Sequence, residues 1–424
     1  MNRPAQYRRQ SQRGGITVHT LVLMVPVFFG IMGFGIDLGR LYLVRGELSQ
    51  AAEGMAQTAA HLLIGTDRSL DNAQFAAQLN VENTGGFGNK FNFGSIVIGE
   101  SNTLLNSEIQ APSFFSTSAA ALQSDASSSG DAGGADARFV RISLRADAPL
   151  LFWAVLSLGQ ERKTPIAATA LAGISVPVCQ ACGIEPFAVA AISPEDTLDF
   201  GFVRATKYTL NFVCNGQPQP QLLAGTTARV PYLILNKYND QSVVAEDQQL
   251  YRAGAGGLMP STNATYSCSR IGMEETSWVT AAPQPCAMGR PANNVVASLC
   301  GVASRFDTVV PAACSFVTDV DTLATSYDAD SDISDIDDYP VYTGNARRLI
   351  TIPVVDALTS SGPMLVLGFR QFLVEPNQNE VTIAPGDTGG RFRALYIGYP
   401  APVKQGRLDG CQVASGPGKV VLHQ

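Results

Sequence analysis

GGITVHTLVLMVPVFFGIMGFGIDLGRLYLVRGELSQAAEGMAQTAAHLL, residues 14–63, decides how the rest of the chain is organised. From Gly14 to Ile36 it contains 23 residues without Asp, Glu, Lys or Arg. As a helix that run would extend about 34 Å, enough for a bilayer core of about 30 Å. Residues 17–36 are therefore a predicted transmembrane segment. Arg3, Arg8, Arg9 and Arg13 precede it with no acidic residue, whereas Asp37, Arg40, Arg45 and Glu47 follow it with both signs mixed. That asymmetry predicts a basic leader, 1–16, on the cytoplasmic side and everything after Asp37 across the membrane, which makes the inner membrane the first expected partner. Two other readings of the run are a cleaved secretory signal cut near Gly33 or Gly35, whose apolar core is ordinarily only about 7–15 residues, and a buried helix of a soluble protein.

The helical pattern does not stop at Asp37. Leu41, Leu48, Met55 and Leu62 recur every seven residues, with Val44, Ala52 and Ala59 between them, predicting one helix from about residue 17 to about residue 63. Arg40, Glu47, Gln50, Glu53 and Gln57 fall on its other face. The apolar stripe suits packing on the chain's own core. It equally suits a helix–helix contact in an assembly, because Ala51, Ala52, Gly54, Ala56, Ala59 and Ala60 permit close approach.

The order of features across residues 8–60 is arginines and a glycine at the membrane edge, Pro26 within the apolar run, Asp37-Leu38-Gly39-Arg40-Leu41-Tyr42, Arg45, then Leu48-Ser49-Gln50-Ala51-Ala52 leading into alanines. It resembles the N-terminal module of TadE/TadG-like proteins, envelope components of the Tad (Flp) tight-adherence pilus system. RRLITIPVVD (347–356) and VLGFRQFLV (366–374) also resemble the C-terminal part of TadG-like chains. The resemblance implies a membrane anchor continuing into a pilin-like domain, a non-enzymatic role in pilus assembly, no cofactor, and other pilus or envelope proteins as partners. Processed family members resemble type IV prepilins, with Glu five residues after the cleaved Gly; with Gly14 in that place, His19 stands where Glu would be. A neutral imidazole offers no charge pair to a freed amine. The departure implies a TadG-like, unprocessed anchor.

The expected fold class is α+β: the helix, a pilin-like α+β domain over 64–175, and a β-rich, disulfide-bonded domain over 176–424. In the first domain, 69–80 reads as a short helix, 91–99 and 139–146 as strands, 124–137 as a low-complexity loop and 148–159 as a short apolar helix covering the sheet. Val140, Ile142, Leu144 and Ala146 alternate with Arg141, Ser143 and Arg145, the period of a half-buried strand. Strands are expected at 208–213, 230–235, 349–355, 365–374, 381–383 and 392–399, where β-branched and aromatic residues stand between Pro, Gly, Asn and Asp.

All eight cysteines, Cys179, Cys182, Cys214, Cys268, Cys286, Cys300, Cys314 and Cys411, lie in the last domain. Export and an even count predict up to four disulfides with open connectivity. The Cys179-Gln180-Ala181-Cys182 motif has no second CxxC to complete a zinc site, and a structural role is expected. Six carboxylates fall within residues 328–338. Asp328, Asp330, Asp332 and Asp335 are candidate ligands for a hard cation, but Ile333 and Tyr339 stand where an EF-hand wants Gly and Glu. A solvated acidic loop is the expected alternative.

Hydrophobic residues make up 46% of the chain, ample for a core. Charged residues make up 15%, against roughly 25% in ordinary soluble proteins. A net charge of −7 argues against nucleic acid as a partner. Histidines number three, leaving little material for His-based catalysis. There is no GxSxG, GxxxxGK[ST] or HExxH, and no small-molecule substrate suggests itself. An envelope-anchored adhesin or ligand-binding module using a pilin-like anchor is the alternative function, and an exported carboxylate hydrolase a third.

Overall fold

Helix α1 runs unbroken from Gly14 to Ala60, with Pro26 inside it. The computed structural model describes residues 14–423 except 84–100, 103–106, 124–129, 151, 154–161, 214–221, 236–250, 252, 259–267, 277–285, 288–289, 292, 308–311, 316–326, 360–361 and 377–389. The predicted strands at 91–99 and 381–383, and Cys214, lie outside these residues. The chain divides into two compact units that interleave in sequence. One takes Met1–Glu53, Val81–Ala111 and Ile142–Thr169; the other takes Gly54–Asn80, Pro112–Arg141 and Ala170–Gln424.

Helix α2 spans Ser69–Asn83, and Ser69, Ala73 and Ala77 are buried among its described side chains. In the first unit, β1 (Ser101–Asn102) pairs antiparallel with β2 (Ser107–Ile109). Strand β2 in turn pairs with β4 (Phe139–Leu150), placing Ile109 opposite Leu144. The alternation read from the sequence is realised, with Val140, Ile142, Leu144 and Ala146 all buried. The helix expected from Ala148 is corrected at its start: Ala148 to Leu150 continue the strand, because Ala148, buried in its turn, extends the same two-residue period.

In the second unit, β3 (Ser113–Phe115) pairs with Phe139–Arg141, the start of β4, and is followed by α3 (Ser118–Gln123). Arg141, assigned by its spacing to the solvent face, is buried instead. Its guanidinium lies 5.0 Å over the Phe115 ring and donates to the Ala121 carbonyl at 3.4 Å. The described part of the low-complexity segment is packed: Asp131 accepts the Ser116 N–H at 3.1 Å, and a Cβ on Gly134 would meet the Thr66 carbonyl at 2.4 Å. The small-residue strand β5 (Arg162–Ile174) ends by pairing Leu171–Ile174 with β18 (Val420–His423).

The core of this unit is a closed barrel. Strands β7 (Phe187–Ala190), β8 (Lys207–Phe212), β9 (Ala228–Ile234), β14 (Leu349–Val355), β15 (Pro363–Val374) and β16 (Phe392–Tyr396) run in the order β15-β14-β7-β9-β8-β16, and β16 pairs back onto β15. Pairs β7–β14 and β8–β9 are parallel, the others antiparallel. Closure leaves the ring without free edges; β11 (Glu274–Thr276) adds outside it, on β15. The interior is aromatic: Phe187, Phe212, Tyr232 and Phe392 form one run of ring contacts at 5.0–5.8 Å, and Phe202, Tyr208, Phe372 and Tyr396 form another.

A smaller sheet places β6 (Gln180–Cys182) between β10 (Ser269–Arg270) and β17 (Gln405–Arg407). The two cysteines of the CxxC go to its two sides: Cys182 bonds Cys268, just before β10, and Cys179 bonds Cys411, just after β17. A third disulfide joins Cys300 to Cys314. Cys286 belongs to a hairpin of β12 (Cys286–Ala287) and β13 (Arg290–Pro291). Helix α4 (Asn293–Ala303), absent from the sequence reading, sends Val295, Leu299 and Val302 into the barrel core.

Candidate functional site

Helix α1 is long and apolar enough to cross a membrane. Every large apolar residue from Val18 to Leu43 except Leu41 is 40–79% exposed. Beyond Leu43 the pattern reverses, and Val44, Leu48, Ala51, Ala52, Met55, Ala56, Ala59 and Ala60 are all buried. The spacing that left core packing and an intermolecular contact open is thus used for core packing in the second half of the helix.

One turn interrupts the exposed half. Gly33 and Asp37, four residues apart and therefore on one face, are its buried positions. The Phe152 ring fills the space where a side chain on residue 33 would stand, only 2.0 Å from an ideal Cβ. The Asp37 carboxylate accepts the Phe152 N–H at 3.1 Å through both oxygens and the Trp153 N–H at 3.2 Å through Oδ2. A carboxyl accepting from two successive backbone donors is a clamp. Gly33 supplies the room and Asp37 the acceptor, and together they hold Phe152 and Trp153 against α1.

The other helix positions singled out by sequence are separate from this clamp. His19 and Pro26 are exposed within the apolar face, Arg40 is half-buried, and exposed Arg45 borders a groove with Leu41, Pro165 and Ile166. Asp37 was legible as a carboxylate at the membrane edge. Its partner, 115 residues away, was not, although an apolar run ending in Phe152-Trp153 was visible.

The acidic run 328–338 is divided: Asp328, Asp335, Asp337 and Asp338 are exposed, as a solvated loop would have them, whereas Asp330 and Asp332 are buried. Asp330 is buried, accepts the Tyr342 hydroxyl and lies 3.4 Å from the Arg348 guanidinium. Asp332 accepts the Ser334 N–H at 3.2 Å and the Thr343 N–H at 2.9 Å. Asp335 bonds Lys207 and sits 2.7 Å from Arg393, while Asp337 reaches Lys207 at 2.9 Å. Burial alone would push Asp332 and Asp335 up, but these donors outweigh it and hold both carboxyls below their usual range. Asp328 is exposed. Among the described residues no group of three or more His, Cys, Asp or Glu is placed to hold a metal ion. The run is a latch onto cations at or beside β8, β14 and β16. Lone basic residues in otherwise apolar strands, Lys207 in KYTLNF and Arg393 in FRALY, were the available signal.

No curated protein and no solved structure matches the chain. Residues 14–60, the whole of α1, match the family model described as putative Flp pilus-assembly TadE/G-like, so the chain carries a TadE/TadG-like module in this helix.

Proposed function

We propose that the protein is a non-enzymatic, TadG-like component of Tad/Flp pilus assembly, anchored in the inner membrane by α1. Residues before 17 lie in the cytoplasm, the leader is retained, and the chain after Asp37 is exported to meet other pilus or envelope proteins. The observation that carries this reading is the contiguous apolar surface from Val18 to Leu43 on a TadE/G-like helix. A surface of that kind marks a membrane or protein contact. Six cysteines in disulfides support an oxidising compartment. A photocrosslinker replacing Phe28 or Phe29, in cells carrying the pilus system, should trap lipid or another pilus subunit, and deletion of the gene should reduce piliation. A reporter active only in the cytoplasm working after Gln424, or normal piliation without the protein, would overturn the reading. Intact mass decides on the leader: a mature chain beginning at Gly15 would reject its retention.

A further inference from the structure

We propose that a cationic cavity in the second unit binds a small organic anion, a carboxylate or phosphate monoester attached to an apolar body. The cavity measures about 540 Å³, within the roughly 300–1,000 Å³ of small-molecule sites. Its charged and aromatic lining is Arg305, Arg347, Lys404, His61, Asp328 and Tyr327.

The site is built rather than incidental. Arg305 and Arg347 are only 1% and 5% exposed. Arg305 sits just past α4, whose end is tied by the Cys300–Cys314 bond. It donates to Glu185, to the Gly254 carbonyl at 3.2 Å and to the Arg347 carbonyl at 2.7 Å. Arg347 donates to the Tyr327 carbonyl at 2.6 Å and lies 5.4 Å over the Tyr327 ring. Both guanidinium groups are thus fixed by backbone carbonyls, and Arg305 is tied directly to the main chain of Arg347. Glu185, fully buried, is committed to Arg305 and to the Gly257 N–H at 3.0 Å.

Charge remains over. Glu185 is set against Arg305 and also acts on Lys404, while Arg347 lies in the field of Asp328 and of Asp330, the latter shared with Arg348; four cations stand against three carboxylates. Lys404 takes part in no hydrogen bond or ion pair among the described residues and stands at the mouth with His61, both reachable by solvent. The groups repel one another: partial burial and Arg305 hold Lys404 below its ordinary pKa, burial and Arg305 do the same to Arg347, and burial and Lys404 to His61. An anion among them relieves all three. The rest of the wall includes Ile64, Leu258, Leu349 and Val403, which favours an organic body over a bare ion.

The test is calorimetric titration of the full chain in neutral detergent at low salt with N-acetylleucine, phenyl phosphate, inorganic phosphate and the neutral N-acetylleucinamide. Lys404→Gln is the informative variant, because Lys404 holds no structural bond, and its melting curve verifies folding. Binding of either organic anion, weakened about tenfold by Lys404→Gln and absent for the amide, is the expected result; which of the two binds separates carboxylate from phosphate ester. In the same complex the His61 imidazole, read by NMR against His61→Gln, should titrate at higher pH, with Lys404, Arg305, Arg347, Asp328 and Glu185 as the surrounding charges. Equal binding of the amide, indifference to Lys404→Gln, binding of inorganic phosphate only, or no binding of any anion would each overturn the proposal.

Discussion

Residues 18–43 and the six-stranded barrel are both built from Val, Ile, Leu and Phe, and they dispose of them in opposite ways. In the helix nearly every such side chain is exposed, and the fold covers only Gly33 and Asp37. In the barrel all six residues of β8, all five of β16 and six of seven in β14 are buried. The barrel is saturated, with its apolar residues on one another, Lys207 and Arg393 on the acidic run, and Arg370 on the carbonyls of Thr197 and Leu198. The helix is unsaturated, and under the proposed function its missing neighbours are lipid or other subunits.

The contrast is broken most forcefully by reduction. Each disulfide lost should destabilise the second unit by roughly 2–5 kcal/mol, seen as a lower denaturant midpoint for the full chain in detergent, while the circular-dichroism signal of α1 persists. Thiol counting on the denatured, unreduced protein should return none free. Phe392→Ala comes next. It removes a ring packed on Phe187 and Tyr232 at 5.4 and 5.7 Å and should cost about 3–5 kcal/mol in the same measurement.

Glu375 tests how the saturated region handles charge. It is fully buried and accepts the Ile336 N–H at 3.2 Å. Desolvation lifts its pKa from 4.5 to about 7, against the pull of Arg348 and Lys207. Across that window the folded chain holds a proton that the unfolded chain has lost. Stability therefore falls as pH rises from about 4.5 to about 7, by up to about 3 kcal/mol. Glu375→Gln should flatten that slope in denaturant titrations at several pH values; an unchanged slope would place the proton elsewhere.

The same contrast explains what the sequence made legible. Helix α1 was readable because its periodicity and its lack of charge are local properties. Strands β4, β14 and β15 were readable for the same reason. Closure of the barrel was not, since β16 pairs with both β15 and β8, and the parallel β7–β14 pairing joins segments far apart in the chain, Val189 opposite Val354. Helix α4, NNVVASLCGVA, has too few polar residues to show a face. The acidic run was visible, but its fate depended on Lys207, Arg348 and Arg393 arriving from three strand neighbourhoods. Asp37 lies between these cases: visible as a residue, invisible as a clamp. Asp37→Ala should leave the Phe152 and Trp153 N–H groups without their acceptor and cost about 1–3 kcal/mol, read as faster amide exchange at those two positions.

The smallest expected effect on folding is the most telling. Phe28 and Phe29 are 61% and 63% exposed, so the fold has no cavity to open when they are truncated. Phe28→Ala with Phe29→Ala should change the stability of the two folded units by no more than about 0.5 kcal/mol. In a bilayer the same pair of changes removes apolar area from contact with lipid or a neighbouring helix, where association rests on close packing. The double variant should therefore fold normally yet co-purify less with its envelope partners. Intact assembly would show that this face meets only lipid. A folding defect as large as that of Phe392→Ala would show that the helix packs on its own chain after all, and the division between a saturated barrel and an unsaturated helix would fall.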